Sequence, residues 1–448
     1  MNRTIYRLLR LNHGVRKWLG RQFTPNGLVL LGGLFIFGLI GLDIKRSLSY
    51  QIFMFLLAVL VVSFLLSWLL KYFRPFRLSA TRRLPRFGTV GVPLSYRVVI
   101  SSSSRQRRHG LMLTESFSGT FPRFESFRQI VRPKKNAADV RKEWSRLLAR
   151  LRWAFSPAIA LPPLIAKGNT EIRGEVLPLR RGLLRFQKLT LACPEPLGLV
   201  NRCLSLNLPQ SVLILPKRYE LPVLDLPGSR RHQADSLALA ASVGDSEEFR
   251  SLREYRLGDS PRKIHWKSWA KLGRPVVREE QAEFSVRHAL ILDTFQAEEY
   301  SDVLEEAVAI AASFACTVHT QESLLDTIFV SGEAHCFTTG RGQGQTEHLL
   351  ELLASVVPCQ DKSFSSLLPV VRSRFSLLSG CICVFLTWDS DRKALIEQLQ
   401  TANIPTLGLI ITTENGLAES LDRSCLKNAQ SSLHVLMPGK IQEGLLNL

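Results

Sequence analysis

Two long uncharged stretches near the N-terminus constrain this chain more than any other feature. Residues 28–42 contain no ionisable side chain, and residues 50–70 are apolar except for Gln51, Ser63 and Ser67. A segment in lipid must satisfy its own backbone hydrogen bonds, so a run of this kind that crosses a bilayer is a helix. Crossing takes about 20 residues. The second run reaches that length, and the first approaches it when Gly27 and Ile44 are added. No small-residue cleavage site follows the first run and a second run comes at once, which argues against a secretion signal. Arg3, Arg7, Arg10, Arg16, Lys17 and Arg21 precede the pair, and Lys71, Arg74, Arg77, Arg82 and Arg83 follow it. The intervening loop offers only Lys45 and Arg46 beside Asp43. Positive flanks stay on the cytoplasmic side. The expectation is a multi-pass, two-helix hairpin through the membrane with both termini cytoplasmic. Neither run carries an internal charge, so the hairpin reads as an anchor in membrane lipids and not as a transport path.

The net charge of +20 is unevenly spread. Residues 1–90 hold 14 Lys/Arg against 1 Asp/Glu, whereas residues 288–448 hold 9 against 19. A basic half followed by an acidic half fits a membrane-facing part and a separate cytosolic domain better than a nucleic-acid binder. Basic residues such as Arg105, Arg107, Arg108, Lys134, Lys135 and Arg141 lie in the membrane-proximal part, and no recognition helix or aromatic RNA-binding motif accompanies them. Nucleic acid is therefore not an expected partner. The 8 cysteines form no Cys-x-x-Cys pair and read as free thiols in a reducing compartment.

Residues 78–220 look like β-structure. Leu94, Tyr96, Val98 and Ile100 alternate with Ser95, Arg97 and Val99, the period of a half-buried strand. Short apolar runs separated by turn residues then suggest a sandwich. Residues 137–153 depart from this, because Val140, Trp144, Leu147, Leu148 and Leu151 recur at helical spacing among arginines. Two readings stand: a basic helix on the membrane surface, or a helical insertion packed on the sandwich, which is the working one.

Residues 288–448 alternate strand and helix. Strands are expected at 288–293, 381–387, 406–412 and 432–437, a hairpin at 323–338, and helices near 298–315, 346–357, 364–376 and 391–402. That order argues for a mainly parallel sheet covered on both faces.

Between these parts, residues 244–280 are dense in both charge signs, aromatics and turn formers. Gly258-Asp259-Ser260-Pro261 reads as a turn and then a helix start, with Asp259 or Ser260 as cap and Pro261 at the first helical position. Ile264, Trp266, Lys267 and Ala270 would lie on that helix, Gly273 would end it, and Pro275–Arg278 would return as a strand. The stretch is expected to be a salt-bridged joint.

These residues resemble the signature of the domain of unknown function 58 family, at Phe249, Leu252, Arg253, Tyr255, Gly258, Asp259, Pro261, Arg262, Ile264, His265 and Trp266, with Lys271 as the following basic residue. Ser268-Trp269-Ala270-Lys271 departs mildly from the family's usual continuation. Upstream, Arg180-Arg181-Gly182 and Glu195-Pro196-Leu197-Gly198-Leu199 are similar to two further family elements, with Glu in place of Asp. The resemblance implies a multidomain protein: two transmembrane helices, an immunoglobulin-like β-sandwich and a Rossmann-like α/β domain of von Willebrand type A kind. It divides the chain into a basic N-terminus (1–26), the hairpin (27–70), the sandwich (78–220), the signature and junction (221–287) and the type A-like domain (288–448). Such proteins are commonly encoded beside MoxR-type AAA+ ATPases and transglutaminase-like membrane proteins, which makes these the implied partners.

Two places in the sequence offer chemistry. Type A domains hold a divalent cation through Asp-x-Ser-x-Ser with later Thr and Asp residues. Here the loop reads Asp293-Thr294-Phe295-Gln296-Ala297, and with Thr387 and Asp389 it makes a degenerate site able to hold Mg²⁺ only weakly through water. No cofactor is otherwise expected. His265, with Asp259 or Glu254 as orienting partner, is the candidate for general acid/base work. No nucleophile motif accompanies it, and a packed structural histidine is the plainer reading. The chain therefore reads as a non-enzymatic membrane-anchored adaptor that docks an AAA+ ATPase. The alternative is a hydrolytic or metal-dependent enzyme centred on His265 and Asp259.

Overall fold

A computed structural model describes residues 2–41, 47–73, 78–103, 109–119, 121–122, 124–131, 137–222, 249–256, 261, 264–280, 287–298, 300–318, 324–339, 343–413, 426 and 431–448. The fold is mixed α/β, in two compact units, Met1–Lys217 and Arg218–Leu448.

The first unit begins with three helices, α1 (Asn2–Gln22), α2 (Pro25–Gly41) and α3 (Ser47–Phe73). The break between α1 and α2 has a local cause. Thr24 accepts a hydrogen bond from the Gly27 amide at 3.1 Å, and Pro25 follows it at the first helical position, a cap that starts a new helix. Within α3, Leu48–Leu70 is long and apolar enough to cross a bilayer. The run expected at 28–42 is the shorter helix α2, whose 17 residues rise about 25 Å. Residues 42–46, with the loop charges Asp43, Lys45 and Arg46, lie outside the described residues.

Two sheets follow. One has strand order β1-β3-β7-β5, made of β1 (Leu78–Arg83), β3 (Leu94–Ser102), β7 (Asn169–Pro178) and β5 (Ala154–Phe155). The other has order β2-β9-β8-β4-β6, from β2 (Phe87–Thr89), β9 (Asn201–Leu215), β8 (Gly182–Pro194), β4 (Met112–Phe117) and β6 (Ile159–Ala160). They share one apolar core. Leu94, Tyr96, Val98 and Ile100, the alternation read in the sequence, meet Leu113, Phe186, Leu189 and Leu191 from the second sheet.

Two helices interrupt the strands, α4 (Phe124–Val131) and α5 (Ala137–Arg150). The 137–153 pattern is α5, but its packing differs from the working expectation. Val140, Trp144 and Leu147 are buried against Leu9 of α1 and Phe127 of α4. Its apolar face is thus spent on a helical layer, neither on the sheets nor on a free surface.

Among the described residues, the first strands of the second unit are an antiparallel pair, β10 (Phe249–Glu254) and β11 (Val276–Glu280), with the short helix α6 (Trp266–Leu272) between them in sequence. A six-stranded sheet follows in order β14-β13-β12-β15-β16-β17. Its strands are β12 (Arg287–Leu292), β13 (Leu324–Ser331), β14 (Glu333–Thr339), β15 (Gly380–Phe385), β16 (Thr406–Ile411) and β17 (Ser432–Leu436). All neighbouring pairs are parallel except β13–β14. β15 and β16 are buried along their whole length, as strands covered on both faces must be. Ala289, Ile291, Cys381, Cys383 and Phe385 point to one layer, where Phe364, Leu367, Leu395 and Leu399 cover them. The connecting helices are α7 (Asp302–Val318), α8 (Gln343–Ser355) and α9 (Ser390–Thr401), and α10 (Ile441–Leu446) closes the chain. The single helix expected at 364–376 is a 3-10 turn, Phe364–Leu367, followed by the short helix Leu368–Arg372. Pro369 accounts for the restart, because it has no amide to continue a preceding turn.

Candidate functional site

The sequence signature folds as a small module. Leu252, Arg253 and Glu254 on β10 pair with Arg278, Val277 and Val276 on β11. The helix starts later than the turn pattern suggested. Ile264 bridges to Val277, and the His265 amide donates to the Val276 carbonyl at 2.9 Å. That amide is spent on the strand, so helical bonding begins only with Ser268 and Trp269, both donating to the His265 carbonyl at 3.0 Å. Pro261 forms a separate turn, its carbonyl accepting from Ile264 at 3.3 Å. Gly273 ends α6 as expected, with φ of +66° and its amide on the Trp269 carbonyl. Gly258, Asp259, Ser260 and Arg262 lie outside the described residues, as does the Phe249 side chain.

Around His265 the geometry is local. Its Nδ1 pairs with Ser268 Oγ at 2.8 Å, one turn along the same helix. Glu254 pairs with Arg274, and both side chains are well exposed. The two sequence candidates His265 and Glu254 therefore have different partners. Arg253 donates to the Glu254 carbonyl at 3.1 Å, and the Tyr255 amide to the Pro275 carbonyl at 3.0 Å. No side chain of α6 is buried. Trp266 is 63% exposed, stacks on Trp269 with ring centroids 5.1 Å apart, and has exposed Leu272 and Lys271 on the same short helix. An exposed tryptophan stacked on a half-buried one is an unusual use of the largest apolar side chains.

The second candidate lies at the carboxyl edge of the six-stranded sheet, where the strand order reverses between β12 and β15, the usual place for a crevice. Asp293 is fully buried there. Its Oδ1 accepts from the Phe295 amide at 3.0 Å, and its Oδ2 from the Leu386 amide at 3.0 Å and Arg392 Nε at 2.7 Å. The same guanidinium reaches Asp389, the N-cap of α9, and lies 4.7 Å from the Phe364 ring centre. Burial pushes the Asp293 carboxyl upward, and Arg392 and the two amides work against that. The expected pair Asp293 and Asp389 is thus brought together, but around an arginine. Thr387 is exposed, and Thr294 is turned into the fold, donating to the Val330 carbonyl. The donors a Mg²⁺ would need are committed to a guanidinium, so the fit to that ion is poor.

Residues 251–373 match a family model described as "Protein of unknown function DUF58". This segment belongs to the DUF58 family. It runs from β10 through α6 to the short helix after the Phe364 turn, so it includes most of the signature but neither α9 nor its Arg392. A relative, "Uncharacterized protein YeaD" of Bacillus subtilis (strain 168), is 24% identical over 192 residues. The match covers 42% of this chain and 46% of that protein, so the chain spans less than half of the relative's length. A GH20 exo beta-N-acetylglucosaminidase from Vibrio harveyi, solved with N-acetylglucosamine, covers 75% of this chain and 57% of its own at 8% identity. Its TM-score of 0.14 is far below that of a shared fold.

Centred in the DUF58 segment, with Arg374 one residue beyond it, the structure shows a cluster that the sequence reading missed. Asp326 on β13 is fully buried, holds Arg287 through two bonds of 2.9 and 3.0 Å, and also binds Thr338 at 2.7 Å and Arg374 at 3.1 Å. Its signal was there: one carboxylate inside the apolar run of β13. Outside the segment, Arg82 and Glu115 form a fully buried bidentate pair at 3.1 and 2.7 Å. Burial raises Glu115 and Arg82 opposes it. Both clusters find their charge partners within the fold and hold elements together.

The turn Glu195–Leu199 also has a defined role. Glu195 accepts from the Leu197 amide at 2.6 Å, the Leu199 amide at 3.0 Å and Ser63 Oγ of α3 at 2.6 Å. The carboxylate therefore shapes the turn and ties it to the apolar helix. On the other side the Thr24 amide donates to the Leu199 carbonyl at 3.0 Å, and a Cβ at Gly27 would stand 2.0 Å from that oxygen.

Proposed function

We propose that this protein is a membrane-anchored, non-enzymatic adaptor. α2 and α3 form a hairpin in a bacterial inner membrane with both chain ends in the cytosol. The β-rich part is an immunoglobulin-like sandwich beside the membrane, and residues 288–448 form a type A-like domain. The cytosolic part docks a MoxR-type AAA+ ATPase, with a transglutaminase-like membrane protein as a second member of the assembly.

The observation that carries this reading is the exposure of Trp266, stacked on Trp269 beside Leu272, on a helix with no buried side chain. Aromatic anchors of this kind are what protein interfaces are built around. The acidic balance of residues 288–448 adds charge that would steer a basic partner surface. The chemistry of a site, by contrast, is dispersed: His265 is bonded within its helix, Glu254 to Arg274, and Asp293 to Arg392. A photo-reactive amino acid at position 266 of the full chain, mixed with the purified ATPase, tests the reading. Cross-linking that depends on nucleotide state supports docking through this surface. Hydrolytic turnover lost in His265→Ala with folding intact would replace it with the enzyme reading.

A further inference from the structure

Helix α1 carries an apolar stripe that nothing among the described residues covers. Leu8, Leu11, Val15 and Trp18 are 66%, 69%, 45% and 54% exposed. At 3.6 residues per turn they fall within about 80° of one another, one continuous ridge along the helix. The other face is occupied, since Ile5, Tyr6 and Leu9 pack against Phe127 and Trp144. The stripe is therefore a second apolar face on a helix whose first face already holds it to the fold.

Two features of the molecule specify what covers it. The stripe is continuous with the apolar hairpin: Trp18 contacts Phe23 at 6.4 Å between ring centres, and Phe23 contacts Phe64 of α3 at 5.7 Å. The helix also carries Arg3, Arg7, Arg10, Arg16, Lys17 and Arg21 and no acidic residue. Partial burial, and after it the nearby charges of Arg21 and Arg152, push the Lys17 ammonium downward. A helix with one apolar ridge flanked by arginines, leading straight into a membrane segment, has the chemistry of an in-plane interfacial helix. We propose that α1 lies in the surface of an anionic bilayer, with Leu8, Leu11, Val15 and Trp18 sunk among the acyl chains and its arginines among the headgroups. This rests on the reading of α2 and α3 as a membrane hairpin. It also fixes the membrane level. Thr24 and Gly27, held by the Glu195–Leu199 turn, mark where the chain leaves the surface and enters the core.

The test places the full chain at one copy per nanodisc, in phosphatidylcholine with and without phosphatidylglycerol. Lipids brominated close to the headgroup or deep in the chain serve as quenchers, and aqueous iodide as the opposing probe. The emission of Trp18 is read as the difference between the parent and Trp18→Phe. The expected result is loss of most Trp18 emission to shallow bromines, little loss to iodide, and a blue shift that is larger with phosphatidylglycerol. Leu11→Glu with Val15→Glu should restore iodide access. Iodide quenching of Trp18 in the parent overturns the proposal, and so does shielding from iodide and bromines alike, which would mean that protein covers the stripe. Resistance of the same parent to alkaline extraction from vesicles reports on the hairpin separately, so failure of the anchor and failure of the α1 placement are told apart.

Discussion

Replacing Arg392 by methionine is the sharpest stability test of the arrangement at the sheet edge. The guanidinium is nearly buried and faces a fully buried Asp293 at 2.7 Å and a half-exposed Asp389. The pair with Asp389 is solvent-screened and adds under about 1 kcal/mol. The pair with Asp293 is different, because removing one partner of a buried pair strands the other, at about 3–5 kcal/mol. Two amide donors at 3.0 Å remain on Asp293, so the lower part of that range applies, about 3 kcal/mol. In a domain of this size each kcal/mol moves the midpoint by about 2–4 °C. Arg392→Met should therefore melt roughly 10 °C below the parent in detergent, followed by near-ultraviolet circular dichroism. The effect should depend on pH with a definite sign. Burial already raises the Asp293 carboxyl, and without Arg392 it rises further. As pH falls through that raised value the stranded charge is neutralised, so the gap to the parent narrows as pH falls. Adding Asp293→Asn to Arg392→Met should recover part of the loss. A single variant melting within about 2 °C of the parent at all pH values would refute the reasoning.

Further outcomes follow from the same geometry. Glu195→Ala leaves the Leu197 and Leu199 amides and the Ser63 hydroxyl without their acceptor, and should cost about 3 kcal/mol in thermal unfolding of the detergent-solubilised chain. Burial raises the Glu195 carboxyl, but Ser63 and three amides more than offset it, so its net shift is below the ordinary 4.5. Its contribution is thus complete above about that value and is lost as pH falls through the lower folded value, visible as a parent-to-variant gap that closes only in acid. Gly27→Ala puts a methyl against the Leu199 carbonyl and should cost about 1–3 kcal/mol in the same assay. Millimolar Mg²⁺ should leave the parent's melting temperature unchanged, checked by differential scanning calorimetry with and without a chelator.

Much of the α/β architecture was legible because parallel strands buried on both faces must be continuous apolar runs, as at Leu290–Leu292 and Cys381–Phe385. The alternation at Leu94–Ile100 was equally plain, since one strand face carries the whole core contact. What the reading missed depended on partners distant in sequence. Asp293 and Asp389 were expected to share a crevice as a degenerate metal site, yet Arg392, one helical turn after Asp389, was passed over because a basic residue early in a helix reads as solvated. The start of α6 was misplaced because its deciding bond runs from His265 to Val276, across the module. The stripe on α1 was hidden in plain view. Its arginines were read as topology signals, and the apolar residues between them at helical spacing went unread.

The central claim is docking of an AAA+ ATPase through exposed Trp266 of α6 and the Trp269 ring stacked beneath it. Its most direct measurement is a binding titration of a purified MoxR-type ATPase against the full chain in nanodiscs, comparing the parent with Trp266→Ser and Trp269→Ser together. The account predicts saturable binding to the parent and at least a tenfold loss in the variant at an unchanged melting temperature, about 1.4 kcal/mol or more of interface energy. Equal affinity for both proteins, or no binding to the parent in any nucleotide state, would contradict it.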